Sequence, residues 1–137
     1  MAKAGIFVRS IAALIALGAA AHAAPAPLFA SLRVAVEGVT QAGGTMRVGV
    51  YDEATFPALP DTPLFKRDAK AAGSAVVTFD RLPPGTYAVK VLQDINNDGR
   101  WEIGEPFGVS NGAARDNYDK AAIVLQPGVN MVTVRLQ

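Results

Sequence analysis

The segment from Asp94 to Glu105, DINNDGRWEIGE, has the residue types and the spacing of a calcium-binding loop. Calcium takes six to eight oxygen ligands, and a twelve-residue loop supplies them from alternate positions when a glycine at the sixth position allows a sharp turn. Gly99 stands at that position, and the acidic pattern of such loops is complete. The predicted ligands are the side chains of Asp94, Asn96, Asp98, Glu102 and Glu105 and the backbone carbonyl of Arg100.

The residues on either side of this loop argue against an EF-hand. The preceding segment, TYAVKVLQ, alternates like a strand, and Pro106 disfavours helical geometry at Glu105. We therefore expect an isolated calcium-type loop between strands, with a dissociation constant on the order of 10⁻⁴ to 10⁻³ M. The alternative is a metal-free loop whose Asp and Asn side chains accept hydrogen bonds from its own backbone. Four carboxylates with only Arg100 among them would repel one another, which favours a cation.

The N-terminal residues 1–23 have the features of a secretory signal peptide. Lys3 and Arg9 precede an apolar run that begins at Ile11, and the small residues around His22 match a cleavage site after Ala23. The apolar run is shorter than the roughly 20 residues that span a bilayer, so we expect no membrane insertion after cleavage. The predicted organisation is a signal peptide (1–23), a flexible linker (24–30) and one domain (31–137), located in the periplasm or secreted.

Composition excludes several classes of chemistry. Removal of 23 residues from 137 leaves 114, with 11 Lys and Arg against 12 Asp and Glu, no Cys, and no His once His22 is lost. Serine or cysteine catalysis with a histidine base is therefore excluded, as are the usual catalytic zinc sites. The basic residues are scattered along the sequence and the net charge is −1, so we expect no nucleic-acid partner.

Period-two patterning predicts strands as the elements that position the loop. Leu32, Val34 and Val36 alternate with polar or small residues, and TMRVGVY at 45–51 is predicted to form a hairpin with them. Residues 52–71 contain three prolines and are expected to be irregular. Further strands are predicted at 74–79, after the Pro84-Gly85 turn, and in AAIVLQ and MVTVRL on either side of PGVN. Six strands predict an all-β fold, a single antiparallel sandwich.

The segment FDRLPPGTY, residues 79–87, resembles the strand-turn-strand signature of transthyretin-like, immunoglobulin-type sandwich modules. Its continuation into Asp94, Asn96, Asp98 and Gly99, followed by FGVSN at 107–111, resembles a family of secreted bacterial proteins, the domain of unknown function twenty-one forty-one. The likeness spans roughly residues 32–136. It implies an immunoglobulin-like (transthyretin or prealbumin-like) β-sandwich and an exported location, and it implies no activity.

Aromatic residues in and beside the long loop allow two interpretations. Exposed Trp101, Phe107 or Tyr118 could stack on sugars or anchor a partner, whereas buried ones would cap the end of the core. We expect the cap, because large aromatic side chains are commonly buried.

Three functions remain open at this point. The first, which we favour, is a non-enzymatic binding or structural module with a protein or carbohydrate partner. The second is a carboxylate-based hydrolase that uses Asp94, Asp98, Glu102 and Glu105, and it requires a deep pocket holding two of them. The third is an assembly or adhesion protein that pairs through sheet edges and has a metal-free loop.

Overall fold

The computed structural model describes Pro25, residues 28–57 and residues 62–137. The predicted signal peptide and residues 24, 26 and 27 of the predicted linker lie outside the described residues. The strands are β1 (Ala30–Glu37), β2 (Thr45–Tyr51), β3 (Phe65–Lys70), β4 (Ala75–Leu82), β5 (Gly85–Asp94), β6 (Phe107–Val109), β7 (Ile123–Leu125) and β8 (Gly128–Arg135). A 3₁₀ turn covers Ser110–Gly112, and a single-turn helix, α1, covers Tyr118–Ala121. Among the residues that the structure describes, no helix is long and apolar enough to cross a membrane.

The strands form two sheets that share one hydrophobic core, which confirms the predicted all-β sandwich. The first sheet has the order β4-β1-β8, and the second has the order β3-β2-β5-β6, with β7 also pairing with β5. The alternating residues of β1, β2, β4 and β5 face the core as predicted, because period two places every second side chain on one face. One pair, β1 with β8, is parallel, and the other pairs are antiparallel.

The predicted hairpin between the first two strands is wrong. β2 forms no hairpin with β1 and instead lies between β3 and β5 in the other sheet. The final two strands also belong to different sheets, because β7 pairs with β5 while β8 pairs with β1. Alternation in a sequence identifies a buried face, but it carries no information about which strand lies alongside.

The segment expected to be irregular, residues 52–71, contains the edge strand β3. Its sequence, FKRDAK, lacks an apolar alternation, and Lys66, Arg67 and Asp68 are exposed. Charged side chains are a common feature of edge strands, where they oppose pairing with another chain.

The folded domain begins before the predicted boundary at residue 31, because Ala30 is already buried in β1. The Phe29 carbonyl accepts a hydrogen bond from Gly128 N, and the Arg81 guanidinium lies 4.8 Å from the Phe29 ring centre. These contacts hold the last linker residues against the domain.

Strand β5 is buried on both of its faces. Tyr87, Val89 and Val91 face the core between the sheets, and Lys90 and Leu92 face the opposite side. A second apolar cluster covers part of this opposite side, and its buried members are Tyr51, Phe56, Ala88, Val109 and Ala121. The outer face of the five-stranded sheet therefore carries its own layer, and the candidate site lies within that layer.

Candidate functional site

The acidic loop, residues 94–105, connects the end of β5 to β6 and is closed at its base. Gln93 N donates to the Pro106 carbonyl at 2.9 Å, and Ile95 N donates to Glu105 Oε1 at 2.9 Å. One backbone hydrogen bond and one hydrogen bond from backbone to side chain thus hold the two ends of the loop side by side. The Gly99 backbone has a φ of +80°, a conformation that glycine adopts without the strain other residues incur.

Asp94, at the first ligand position, is fully buried and organises the loop. Its Oδ2 accepts hydrogen bonds from Gly99 N (2.8 Å) and Arg47 Nε (2.6 Å), and its Oδ1 accepts one from Asp98 N (3.2 Å). Burial alone would raise the pKa of Asp94, but the Arg47 guanidinium and the two loop amides hold it below its usual value. Asp94 is consequently an ionised, paired carboxylate. Its partner Arg47, which also forms an ion pair with Asp68 at 2.8 Å, is a site residue that the sequence analysis missed.

Three of the other predicted ligands, Asn96, Asp98 and Glu105, accept backbone hydrogen bonds within the loop. Asn96 Oδ1 accepts from Asp98 N at 3.2 Å, and Asp98 Oδ1 accepts from Arg100 N at 2.8 Å. Glu105 Oε2 accepts from Glu102 N at 3.0 Å. These are the local side-chain to backbone bonds that the metal-free alternative invokes. They arrange the loop, but they use only part of its oxygen lone pairs.

The carboxylates of Glu102 and Asp98 repel each other within the loop. The Asp98 carboxylate, within hydrogen-bonding reach of Glu102, raises the pKa of Glu102, and the charges of Asp98 and Glu105 add to this shift. A neighbouring like charge disfavours the ionised form of a carboxyl group, and a shared proton or a cation would relieve the repulsion. Asn96 Nδ2 donates to Glu102 Oε2 at 3.1 Å and partly offsets the repulsion.

The donor set fits calcium in its chemistry. A carboxylate has about four lone-pair positions, of which Asp94 uses three, Glu105 two and Asp98 one in hydrogen bonds from nitrogen. Each of them retains an oxygen lone pair for a hard cation, which calcium prefers. Among the residues that the structure describes, no three acidic, His or Cys side chains converge as a ready-made metal group. Coordination by this loop would therefore require the carboxylates to draw together.

A cleft of about 650 Å³ lies beside the acidic loop on the outer face of the five-stranded sheet. Its walls come from β2, β3, β5, the acidic loop and the segment after β6. The described residues that line it include one carboxylate, Asp68, and five cations: Arg47, Lys66, Lys90, Arg100 and Arg115. These cations are scattered in the sequence, and only the fold brings them together. We refer to this feature as the cationic cleft.

The floor of the cationic cleft holds a buried lysine against two aromatic rings. Lys90 is 6% exposed, and its Nζ donates to the Phe56 carbonyl at 2.5 Å. The same Nζ lies 4.7 Å from the Tyr51 ring centre and 4.3 Å from that of Phe56, within the range of cation–π attraction. Gly49, two residues before Tyr51 on β2, leaves space for the Tyr51 ring, because a Cβ at this position would lie 2.7 Å from that side chain.

The rim of the cleft is formed by the acidic loop. The Arg115 guanidinium lies 4.4 Å from the Trp101 ring centre and 4.9 Å from that of Phe107. Trp101 Nε1 donates to the Glu105 carbonyl at 3.3 Å, which ties this ring to the last predicted ligand. Phe107 and Tyr118 are half-buried against the second apolar cluster, as expected for a cap, whereas Trp101 is 39% exposed. Arg100 and Trp101 thus connect the acidic loop directly to the cleft.

Polar residues in the segment after β6 have structural roles. Ser110 is fully buried, and its hydroxyl accepts from Val89 N and donates to the Ala121 carbonyl. Asn117 caps α1 by accepting from Lys120 N, and Asn111 donates to two carbonyls at the end of that helix. These bonds hold the segment that carries Arg115 against β5.

Comparison with known proteins places this chain beside an uncharacterised family. The model of a family described as "Uncharacterized protein conserved in bacteria" (DUF2141) matches residues 34–133. A solved structure of a pilus-presented adhesin shows 9% sequence identity and a TM-score of 0.36, over 80% of this chain and 27% of the adhesin chain. A similarity of this size carries no argument about function. The comparison with curated proteins gave no match.

Proposed function

The chain belongs to this family of uncharacterised bacterial proteins, and from that premise we propose that it is an exported, non-enzymatic β-sandwich that binds a ligand beside a calcium-type loop. The observation that carries the proposal is that the acidic loop forms one wall of the cationic cleft through Arg100 and Trp101. A loop that orders a cleft wall is suited to binding, because preorganised groups lose less conformational entropy when a ligand arrives.

The loop's own residues define what calcium would contribute. Arg47 and the loop amides hold Asp94, and Asp98, Glu102 and Glu105 carry the remaining negative charge. The bound ion would supply positive charge to these carboxylates and so relieve the repulsion between Asp98 and Glu102. With Asn96 and the Arg100 carbonyl added, these residues make up the proposed ligand set, and Arg100 and Trp101 would be fixed beside them.

The charge of the cleft supports a binding role over hydrolysis. A carboxylate hydrolase needs two carboxyl groups facing its substrate, one as the acid and one as the base or nucleophile. Asp68 is the one carboxylate among the described lining residues, and it is already paired with Arg47. The charged edge strand β3 likewise counts against assembly through that sheet edge.

Export to the periplasm or the medium is part of the proposal and rests on the features of residues 1–23. Calcium at roughly millimolar concentration is typical of the environment in which such weak sites are filled. A protein or carbohydrate ligand fits this location, and we propose neither a nucleic-acid partner nor membrane insertion.

Thermal melts of the chain from Ala24, after treatment with a chelator, test the proposal. At roughly 10 mM calcium and a dissociation constant of about 10⁻⁴ to 10⁻³ M, the ion should stabilise the fold by about 1.4 to 2.7 kcal/mol. Asp98→Asn should reduce this effect, because it removes a ligand charge while it keeps an oxygen atom and the side chain's size. Glu37→Gln, an exposed substitution on β1, is the matched control and should keep the full response.

Asp94→Ala is unsuitable for this test despite its first ligand position. Asp94 is buried and paired with Arg47, so its removal destabilises the protein whether or not calcium binds. An unchanged melting temperature at millimolar calcium would contradict the calcium part of the proposal, as would equal responses of Asp98→Asn and Glu37→Gln.

A further inference from the structure

We propose that the cationic cleft binds a small organic anion, with Lys66, Arg100 and Arg115 meeting its acid group and the Trp101 ring lying beside its apolar part. This inference deepens the proposed binding function and rests on it, because it names the class of ligand for the same cleft. It requires no calcium, although the acidic loop supplies two of the residues.

Positive charge is concentrated in the cationic cleft. The described lining holds five cations and one carboxylate, whereas the chain from Ala24 has a formal charge of −1. A concave surface lined by one sign of charge focuses the electrostatic potential and attracts ligands of the opposite sign. Positive charge gathered in one cleft of a nearly neutral protein therefore points to an anionic ligand.

Three of these cations are not neutralised by a carboxylate of the described residues. Within residues 28–57 and 62–137, both ion pairs belong to Arg47, which binds Asp68 and Asp94. Lys66, Arg100 and Arg115 are exposed and have no carboxylate partner in that part of the chain. Arginine presents a planar fork of donors that matches a carboxylate or a phosphate, and lysine adds a point charge.

The size and shape of the cationic cleft suit a small molecule. A volume of about 650 Å³ lies in the range of small-molecule sites, which is roughly 300 to 1,000 Å³. Arg115 is stacked on Trp101 and Phe107, so its guanidinium is oriented before a ligand arrives. The partly exposed Trp101 ring provides a flat apolar surface at the same rim. An acid group attached to a ring, as in an acidic sugar or an aromatic acid, would use both features.

Two other surface features of the described residues give weaker support for a ligand site. The small depression lined by Asp52, Glu53 and Tyr118 is shallow, and none of its described lining residues is a cation that could hold a ligand's acid group. The outer face of the three-stranded sheet exposes Val129 and Met131, but nothing in the described residues indicates what would cover it.

The test uses defined anions as probes. Glucuronate, glucose 6-phosphate, benzoate, citrate and inorganic phosphate are each added to the chain from Ala24 at constant ionic strength, with sodium chloride and neutral glucose as references. Melting temperature identifies the anions that bind, and calorimetric titration gives their dissociation constants. Each titration is run once with a chelator and once with calcium, so that failure of the calcium proposal is distinguishable from failure of this one.

We expect at least one ring-bearing acid to bind more tightly than inorganic phosphate. We expect glucose and sodium chloride to leave the melting temperature unchanged. Lys66→Gln and Arg115→Gln, which lie on different elements, should each weaken this binding at least tenfold. Arg33→Gln, exposed on the opposite sheet, is the control and should leave the affinity unchanged. The proposal is overturned if no probe raises the melting temperature above that in matched chloride. It is equally overturned if Arg33→Gln weakens binding as much as the two cleft variants, or if bare phosphate binds as tightly as every ring-bearing acid.

Discussion

At the scale of single residues, the pair of Arg47 and Asp94 links the sheet to the acidic loop. Arg47 Nε contacts Asp94 Oδ2 at 2.6 Å, while the Asp94 side chain is completely buried. Removal of one partner leaves the other charge without compensation in a poorly solvated position. We therefore expect Arg47→Met to destabilise the fold by about 3 kcal/mol, the scale seen when one member of a buried pair is removed.

The pH dependence of stability provides the check on this pair. The pKa of Asp94 is lowered in the folded state, so its contribution is fully present above the pKa of an unfolded aspartate, about 3.9. The contribution is lost as the pH falls through the lower folded-state value. Denaturant unfolding between neutral pH and acid should thus show a steeper loss of stability for the wild type than for Arg47→Met. Parallel curves, or a cost no larger than that of Arg33→Met on the other sheet, would contradict this account of the pair.

The pKa of Glu102 is shifted upward, in the opposite direction to that of Asp94. The nearby Asp98 carboxylate raises its pKa in the folded state, so the charged form of Glu102 opposes folding above that pKa. Glu102→Gln should therefore stabilise the calcium-free protein at neutral pH and reduce the stabilisation that calcium gives. Melts in chelator and in calcium measure both effects in one experiment. A variant that is less stable than the wild type without calcium would show that the repulsion does not operate.

At the scale of elements, the connection of the two sheets depends on a close contact between β6 and the end of β8. Phe107 and Gln137 exchange two backbone hydrogen bonds, and a Cβ at Gly108 would lie 2.5 Å from the Arg135 carbonyl oxygen. Because backbone cannot move away as a side chain can, Gly108→Ala should cost about 2 kcal/mol of unfolding free energy. Gly49→Ala, for which the three nearest atoms belong to the Tyr51 side chain, is the comparison and should cost less, because a side chain can move where backbone cannot. Equal costs in denaturant melts would show that the contact between β6 and β8 yields readily.

The elements also show what the sequence could predict. Strands with an apolar alternation, such as those of Val34 and Val89, were predicted because burial of one face leaves a period of two. Strand β3 was missed because an edge strand bordered by solvent needs no such pattern. The predicted partner of β2 was wrong, and the partner of β8 was not predicted, because strand order is decided by contacts between distant segments.

The acidic loop was found from local spacing, because its six predicted ligands come from one short segment. The cationic cleft could not be predicted from local spacing. Its residues Arg47, Lys66, Lys90 and Arg115 come from four segments that meet only in the folded sheet. Arg47 is a clear example, since its alternation on β2 indicates only an outward-facing residue. Its role as the partner of Asp94 depends on the pairing of β2 with β5.

At the scale of the whole molecule, the two sheets have different surroundings. The three-stranded sheet exposes alternate residues to solvent, whereas the five-stranded sheet is covered by a second apolar cluster, the acidic loop and the segment after β6. The loop and the cleft share Arg100 and Trp101, so a ligand at either place changes the freedom of residues that serve the other. In the proposed function, the sandwich acts as a rigid support and this covered face binds the ligand.

Calorimetric titration of calcium into the chelator-treated chain from Ala24 shows whether residues 94–105 bind the ion. We expect a saturable heat with a dissociation constant on the order of 10⁻⁴ to 10⁻³ M, and a weaker affinity in Asp98→Asn. Absence of saturable heat at millimolar calcium would contradict this prediction and would leave residues 94–105 as a loop held by its own hydrogen bonds and by Arg47.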